Sequence, residues 1–312
     1  MKKLFVLLLI VGLAANAFSV SVVQDQFRTV AQRTVGGVTS VDWFTPTNWG
    51  GNVNVGIPGI PQNDTEALCN GATMYGALVS SYDSIGAIGS AIIDGGNAEV
   101  GQLRVGSSNT TSTGTPAALT INSGSLTVGN SYSSLHSSGF LSIGSDSAAA
   151  GSTGRNGLFY VNGGSVSVLS GQGNLVVGNG NSNGLANCYG KMYMSGGTVD
   201  ALNIIIGRYA GVTGEVYLSG GTITANNLSM NPSMNGTALF DITGSGKLIL
   251  DGDKTSLIET YISNGWLTGN GNDYDILFDY DATNPGKTTV FVPEPATLCL
   301  LGLGIFGLIR RK

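Results

Sequence analysis

The side chains whose type and spacing suit chemistry in this sequence are mostly carboxylates. Asp251, Asp253, Glu259, Asp273, Asp275, Asp279 and Asp281 crowd into one late stretch, and hard oxygen ligands suit Ca2+. Asp251-Gly252-Asp253 lacks the spacing of an EF-hand loop, and no Gly-Gly-x-Gly-x-Asp nonapeptide occurs. No cofactor is therefore expected, with a structural Ca2+ as the alternative. Glycosidic hydrolysis needs two carboxylates flanking one bond. Asp200, Glu215 and Asp241 lie in repeated units, but at a different position in each. Elimination next to a uronate needs a cation, and Arg104, Arg155, Lys191 and Arg208 are the candidates. The single His136 sits in Ser133-Ser134-Leu135-His136-Ser137-Ser138, which places no orienting carboxylate beside it for a nucleophilic relay. Cys69 and Cys188 fall in distant units and read as two separate thiols rather than a disulfide framework. Zinc spacing and a phosphate-cradling glycine loop are both missing from the sequence. These residues give no expectation of an enzyme.

Two tryptophans suit binding instead. Trp43 and Trp49 stand in Asp42-Trp43-Phe44-Thr45-Pro46-Thr47-Asn48-Trp49, and exposed indole faces stack on pyranose rings. The competing reading is a cap that covers the first strands of a repeat array and blunts their edge.

The two ends of the sequence carry addresses rather than chemistry. Lys2-Lys3 followed by apolar residues 4–13 and Ala15-Asn16-Ala17 has the basic, apolar and small-x-small order of a Sec signal peptide, with cleavage expected after Ala17. At the other end, Val292-Pro293-Glu294-Pro295 leads into an uncharged run, 296–309, and then Arg310-Arg311-Lys312. Fourteen residues at ~1.5 Å each reach roughly 21 Å as a helix, short of the ~30 Å hydrocarbon core. The run spans only if its basic end snorkels and the bilayer thins, with that end cytoplasmic. Pro293 and Pro295 bias the residues before them to extended backbone, which suits recognition by a processing enzyme. An uncut membrane anchor fits the same residues.

This tail resembles the bacterial PEP-CTERM sorting signal: a Pro-Glu-Pro box, an apolar stretch and an arginine-rich end, here over 292–312. Pro293, Glu294, Pro295, Arg310 and Arg311 are the positions that match. The resemblance implies an exosortase-type processing enzyme as partner. It also implies export by the Sec translocon in a Gram-negative-type bacterium, at least transient membrane anchoring through the C-terminal helix, and association with extracellular polysaccharide at the cell surface.

Composition fits an exported body. Five of the 14 basic residues sit in the two addresses, leaving nine against about 19 acids. A domain so acidic does not attract nucleic acid or anionic lipid. Glycine, at 49 of 312 residues, is about double the usual ~7%, as expected of a β protein with many turns.

Internal repeats then supply the architecture. Leu103-Arg104-Val105-Gly106, Leu141-Ser142-Ile143-Gly144, Leu175-Val176-Val177-Gly178 and Ile204-Ile205-Ile206-Gly207 each precede a polar loop, a second strand and a glycine turn into a third. Asn162-Gly163-Gly164-Ser165, Ser195-Gly196-Gly197-Thr198 and Ser219-Gly220-Gly221-Thr222 mark the turns. Successive strand glycines are 38, 34 and 29 residues apart. Variable loops between constant strands suit stacked coils. Period-two alternation in Leu119/Ile121 and Phe159/Val161 puts one face inward. The expected fold is all-β: a right-handed parallel β-helix, or β-solenoid, over 78–250. An N-terminal cap is expected over 18–77, and a C-terminal cap and short linker over 251–291, between the signal peptide (1–17) and the sorting tail (292–312). Hairpins joining the same strands into an antiparallel sandwich are the alternative. The repeats also resemble the autotransporter and PEP-CTERM-associated repeat. Together the readings imply a non-enzymatic structural or adhesive surface protein, with a carbohydrate-binding module or a polysaccharide lyase or hydrolase as alternatives.

Overall fold

The computed structural model describes residues 25–27, 33–35, 38–42, 49–50, 73–79, 90–106, 116–129, 139–145, 156–169, 171–180 and 188–293. The chain is mostly β, 61% strand and 6% helical, which settles the class. Its early strands are β1 (Asp25–Phe27), β2 (Arg33–Val35), β3 (Val38–Asp42), β4 (Trp49–Gly50) and β5 (Thr73–Val79). Then come β6 (Ser90–Val105), β7 (Ala117–Val128), β8 (Phe140–Ser145), β9 (Gly157–Val161), β10 (Ser165–Val168) and β11 (Asn174–Gly180). They continue with β12 (Tyr189–Met194), β13 (Thr198–Ile206), β14 (Thr213–Leu218), β15 (Thr222–Met230), β16 (Thr237–Ile242) and β17 (Lys247–Asp251). Helix α1 (Thr255–Ser263) precedes β18 (Leu267–Gly269), β19 (Leu277–Tyr280) and β20 (Lys287–Phe291). The strands join in one large sheet that does not close into a barrel.

Pairing through the repeats is parallel and falls into three ladders. The first runs from the start of β6 through β7, β9, β12, β14 and β16 to β18. A second takes the middle of β6, then the end of β7, β10, and the first halves of β13 and β15, to β17. The third stacks the ends of β5 and β6, then β8, β11, and the ends of β13 and β15. The hairpin alternative thus fails for these strands. Antiparallel pairs among the described residues occur only toward the two ends, β1–β4 and β2–β3 early, β17–β20 and β19–β20 late.

Alternation in the strands fills a single core. Leu119, Ile121, Phe159 and Val161 are fully buried, as the period of two predicts, with Leu126, Val166 and Val199 behind the second ladder and Leu141, Val177 and Ile206 behind the third. Each large aliphatic or aromatic side chain removed from water contributes about 1.5–3 kcal/mol.

The Gly-Gly pairs do more than turn the chain. Gly164, Gly197 and Gly221 have φ of 69°, 77° and 79°. A Cβ on any of them would come within 2.5 Å of the carbonyl oxygen of the equivalent glycine one unit earlier. The carbonyls of Gly164, Gly197 and Gly221 in turn accept the backbone N–H groups of Thr198, Thr222 and Lys247 of the next unit at 3.0–3.1 Å. The turn is therefore part of the stack, and the stack leaves room only for glycine.

At the late end each ladder finishes differently. β18 ends the first, β20 continues the second in reverse, and α1 lies over the third. Tyr261 of α1 is buried, its hydroxyl donating to Leu228 O (3.1 Å) and accepting from Met230 N (3.3 Å). Helical spacing of Leu257, Ile258, Tyr261 and Ile262 predicts α1, and Asn264-Gly265 closes it as expected. The sequence reads as a last strand at 288–292 and a short linker before the tail. The strand is present as Lys287–Phe291, and Val292 directly after it is buried.

Candidate functional site

The Pro-Glu-Pro box emerges straight from β20. That strand is held on both sides, with Phe291 opposite Lys247 of β17 and Leu277 of β19. Thr288, Thr289 and Val290 are all fully buried. Beside the exit lies an open depression of about 290 Å3, lined by Ser245, Lys247, Leu277, Phe291, Val292 and Pro293. Pro293 is the last described residue. Glu294, Pro295, Arg310 and Arg311 lie outside the described residues, as do Ala15 and Ala17. No helix among the described residues is long and apolar enough to cross a membrane, and the apolar run 296–309 lies outside them.

Four of the late carboxylates serve local turns. Asp253 accepts from Thr255 N and Oγ1 at 3.0 and 2.7 Å, and those bonds hold its carboxyl below the usual range. Asp279 accepts from Thr283 Oγ1 and N at 2.7 and 2.9 Å, with the same effect. Asp281 accepts from Gly286 N at 2.6 Å, and Asp275 from Asn272 Nδ2 at 3.4 Å. Among the described residues no group of three or more His, Cys, Asp or Glu stands together to hold a metal ion.

Four of the candidate charges in the repeats are also engaged. Lys191 and Glu215 face each other on β12 and β14, with Nζ to Oε2 2.7 Å. The same Oε2 accepts from the Tyr217 hydroxyl at 2.8 Å. The Lys191–Glu215 bond raises the Lys191 pKa, while burial, followed by the bond to Glu215, pushes the Tyr217 phenol up to about 12. Asp241 accepts from Thr268 Oγ1 and Gly271 N at 2.7 and 2.8 Å. Arg208 donates to Asn179 Oδ1 at 3.3 Å and lies over the Tyr209 ring. Arg104 is desolvated on the outer side of the third ladder, which lowers its pKa. Arg155 and His136 lie outside the described residues. Glu215 and Asp241 sit on neighbouring strands, but each is tied to partners of its own. Among the described residues, Glu215 and Asp241 are the carboxylates on adjacent strands of the first ladder, and neither is uncommitted.

Of the aromatic candidates, Trp49 begins β4 and Trp43 lies outside the described residues. A different aromatic set was missed. Tyr160, Tyr193 and Tyr217 share one register position on the first ladder. Their rings stack at 5.2 and 5.1 Å, within 12° and 9° of parallel. Each ring covers its neighbour's face, so the middle ring presents only its edge outward. A sugar-stacking platform needs open faces, and this row is built to hold strands in register. Its signal lay in the sequence as Phe159-Tyr160-Val161, Met192-Tyr193-Met194 and Val216-Tyr217-Leu218.

An asparagine column was missed as well. Asn203 Nδ2 donates to Asn174 Oδ1, and Asn227 Nδ2 to Asn203 Oδ1, both at 3.0 Å, in register between the second and third ladders. Its signal is the Asn that directly precedes Leu175, Ile204 and Leu228.

Residues 291–312 match the family model of the PEP-CTERM protein-sorting motif. The motif begins on the last residue of β20 and marks an exosortase-processed, exported, surface-associated protein of Gram-negative-type bacteria. No curated protein and no solved structure matches the chain.

Proposed function

We propose that the body is a non-enzymatic structural or adhesive element of the extracellular polysaccharide layer. It is delivered by the Sec translocon, held briefly at the membrane by its C-terminal run, and released or transferred when the tail is processed. The observation that carries this reading is the direct joining of a sorting motif to a stack whose Lys191, Glu215 and Asp241 are tied to neighbouring strands. In this reading the three parallel ladders wind as a right-handed β-helix, and the repeats are of the autotransporter and PEP-CTERM-associated kind. Polar side chains bonded between neighbouring units, as in the asparagine column, favour a rigid spacer over a reactive cleft.

The test incubates the purified protein with polysaccharide from its own host. The reading expects co-sedimentation and no release of reducing ends or unsaturated uronate. Release of either product would replace it with a polysaccharide-cleaving function. Loss of co-sedimentation in Trp43→Ala or Trp49→Ala would place the contact on those indoles and favour a carbohydrate-binding module.

A further inference from the structure

We propose that the wall beside Pro293 is a second recognition surface for the tail-processing enzyme, used together with the Pro-Glu-Pro box. The argument starts from reach. From Val292, which is buried, to Ala296, where the apolar run begins, there are four residue steps. Fully extended they cover about 14 Å, at ~3.6 Å each. A protein that grips a partner uses a footprint of ~800 Å2 per side, much wider than that tether. An enzyme bound to Pro293-Glu294-Pro295 therefore abuts the body.

The body does not yield there. β20 is paired along both edges, and Val290 and Val292 are 0% and 6% exposed. Peeling the strand to lengthen the tether would expose both valines and break pairing with β17 and β19. What the enzyme meets is the depression lined by Ser245, Lys247, Leu277 and Phe291, continuous with Pro293 itself. Leu277 is a large apolar side chain, 47% exposed at the rim. An apolar rim with one lysine on an otherwise acidic domain offers a protein partner both contact area and a charge. Lipid is the poorer occupant, because the hairpin bearing Leu277 also carries Asp279 and Asp281, which anionic headgroups repel.

The experiment follows tail removal from the full-length precursor in its own host by pulse-chase and mass. It compares wild type with Leu277→Asp, with Lys247→Glu, and with a ten-residue Gly/Ser spacer between Val292 and Pro293. Thermal unfolding checks that each chain folds. Both substitutions are expected to slow removal about tenfold, the effect of losing a modest contact. In the spacer chain neither substitution is expected to add anything. A spacer that speeds removal would mean the body only obstructs the enzyme and would overturn the proposal. Unchanged removal in both substituted chains would also overturn it. If those chains are cut normally but the uncut Leu277→Asp precursor washes off membranes more readily, the wall rests on lipid and the proposal fails. The proposal rests on the tail being processed, so wild-type chains that keep 296–312 would overturn that reading first and this one with it.

Discussion

At the residue scale, two columns of small groups set the stack's tolerance. Gly197 and Gly265 both have positive φ, 77° and 67°. An added Cβ would meet a backbone oxygen at 2.4 Å in the first and nothing within 4 Å in the second. Gly265→Ala therefore bears only the left-handed strain of about 1–2 kcal/mol, whereas Gly197→Ala must also displace the neighbouring turn. Urea unfolding of the two variants is expected to show Gly197→Ala clearly the less stable, and equal midpoints would contradict the stacked-turn account. Asn203 links three units, donating to Gln172 O (2.8 Å) and Asn174 Oδ1 and accepting from Asn227. Replacing it by Ala is expected to lose about 1–3 kcal/mol, since partly buried partners are left unpaired. The Gly-Gly pairs were legible because glycine dipeptides punctuate chains, but their necessity was not: a turn needs one permissive residue, and only the neighbouring unit's carbonyl explains the whole column. The asparagines were visible before Leu175, Ile204 and Leu228 yet ambiguous, because a polar residue at a strand start equally suits solvent.

Tyr217 adds a pH signature at this scale. Its folded pKa is raised to about 12, above the usual ~10 of an unfolded tyrosine. Its contribution is fully present below pH ~10 and fades as pH rises from there through about 12. Unfolding midpoints across that window should fall less steeply in Tyr217→Phe than in wild type. An unchanged slope would mean that the hydroxyl is as solvated in the fold as in the unfolded chain. Tyr160, Tyr189 and Tyr261 are also raised, so only part of the slope is expected to vanish.

At the element scale, alternation identified strands but not their partners. Period two assigns faces, and the buried Leu119, Ile121, Phe159 and Val161 follow it. Whether Val161 turns back in a hairpin or onward to Val166 depends on neighbours 24–40 residues away, which no local pattern encodes. Parallel registers such as Tyr160↔Tyr193↔Tyr217 answer that question. Helix α1 was legible because 3.6-periodicity is local. Its role over the third ladder was not, since that depends on the Tyr261 hydroxyl reaching Leu228 and Met230. Tyr261→Phe keeps the ring's packing and removes both bonds, so a loss of about 1 kcal/mol is expected. Tyr261→Ala is expected to lose about 3–5 kcal/mol, read as a drop in thermal midpoint. Indistinguishable variants would show that α1 does not support the third ladder. Strand β20 was legible as the short strand 288–292, but its partners were not: it closes a hairpin with β19 and is completed on its other edge by β17.

At the scale of the whole molecule, a rigid acidic stack meets its address with no slack between them. The tail alone reads equally as an anchor or a signal. Its match over 291–312 and its attachment to a paired strand make it the end of the folded body as well as a sorting sequence. Asp253, Asp275, Asp279 and Asp281, which looked like candidates for Ca2+, are engaged in turns, and Glu215 and Asp241 between neighbouring strands, an outcome invisible in sequence because it depends on partners brought close by folding. The central claim is that this body is delivered and then parted from its tail. The most direct measurement is the intact mass and C-terminal peptide of the protein recovered from its host's surface. The account predicts a chain that lacks Arg310-Arg311-Lys312 and ends near Glu294, while a surface population that still carries those three residues would contradict it.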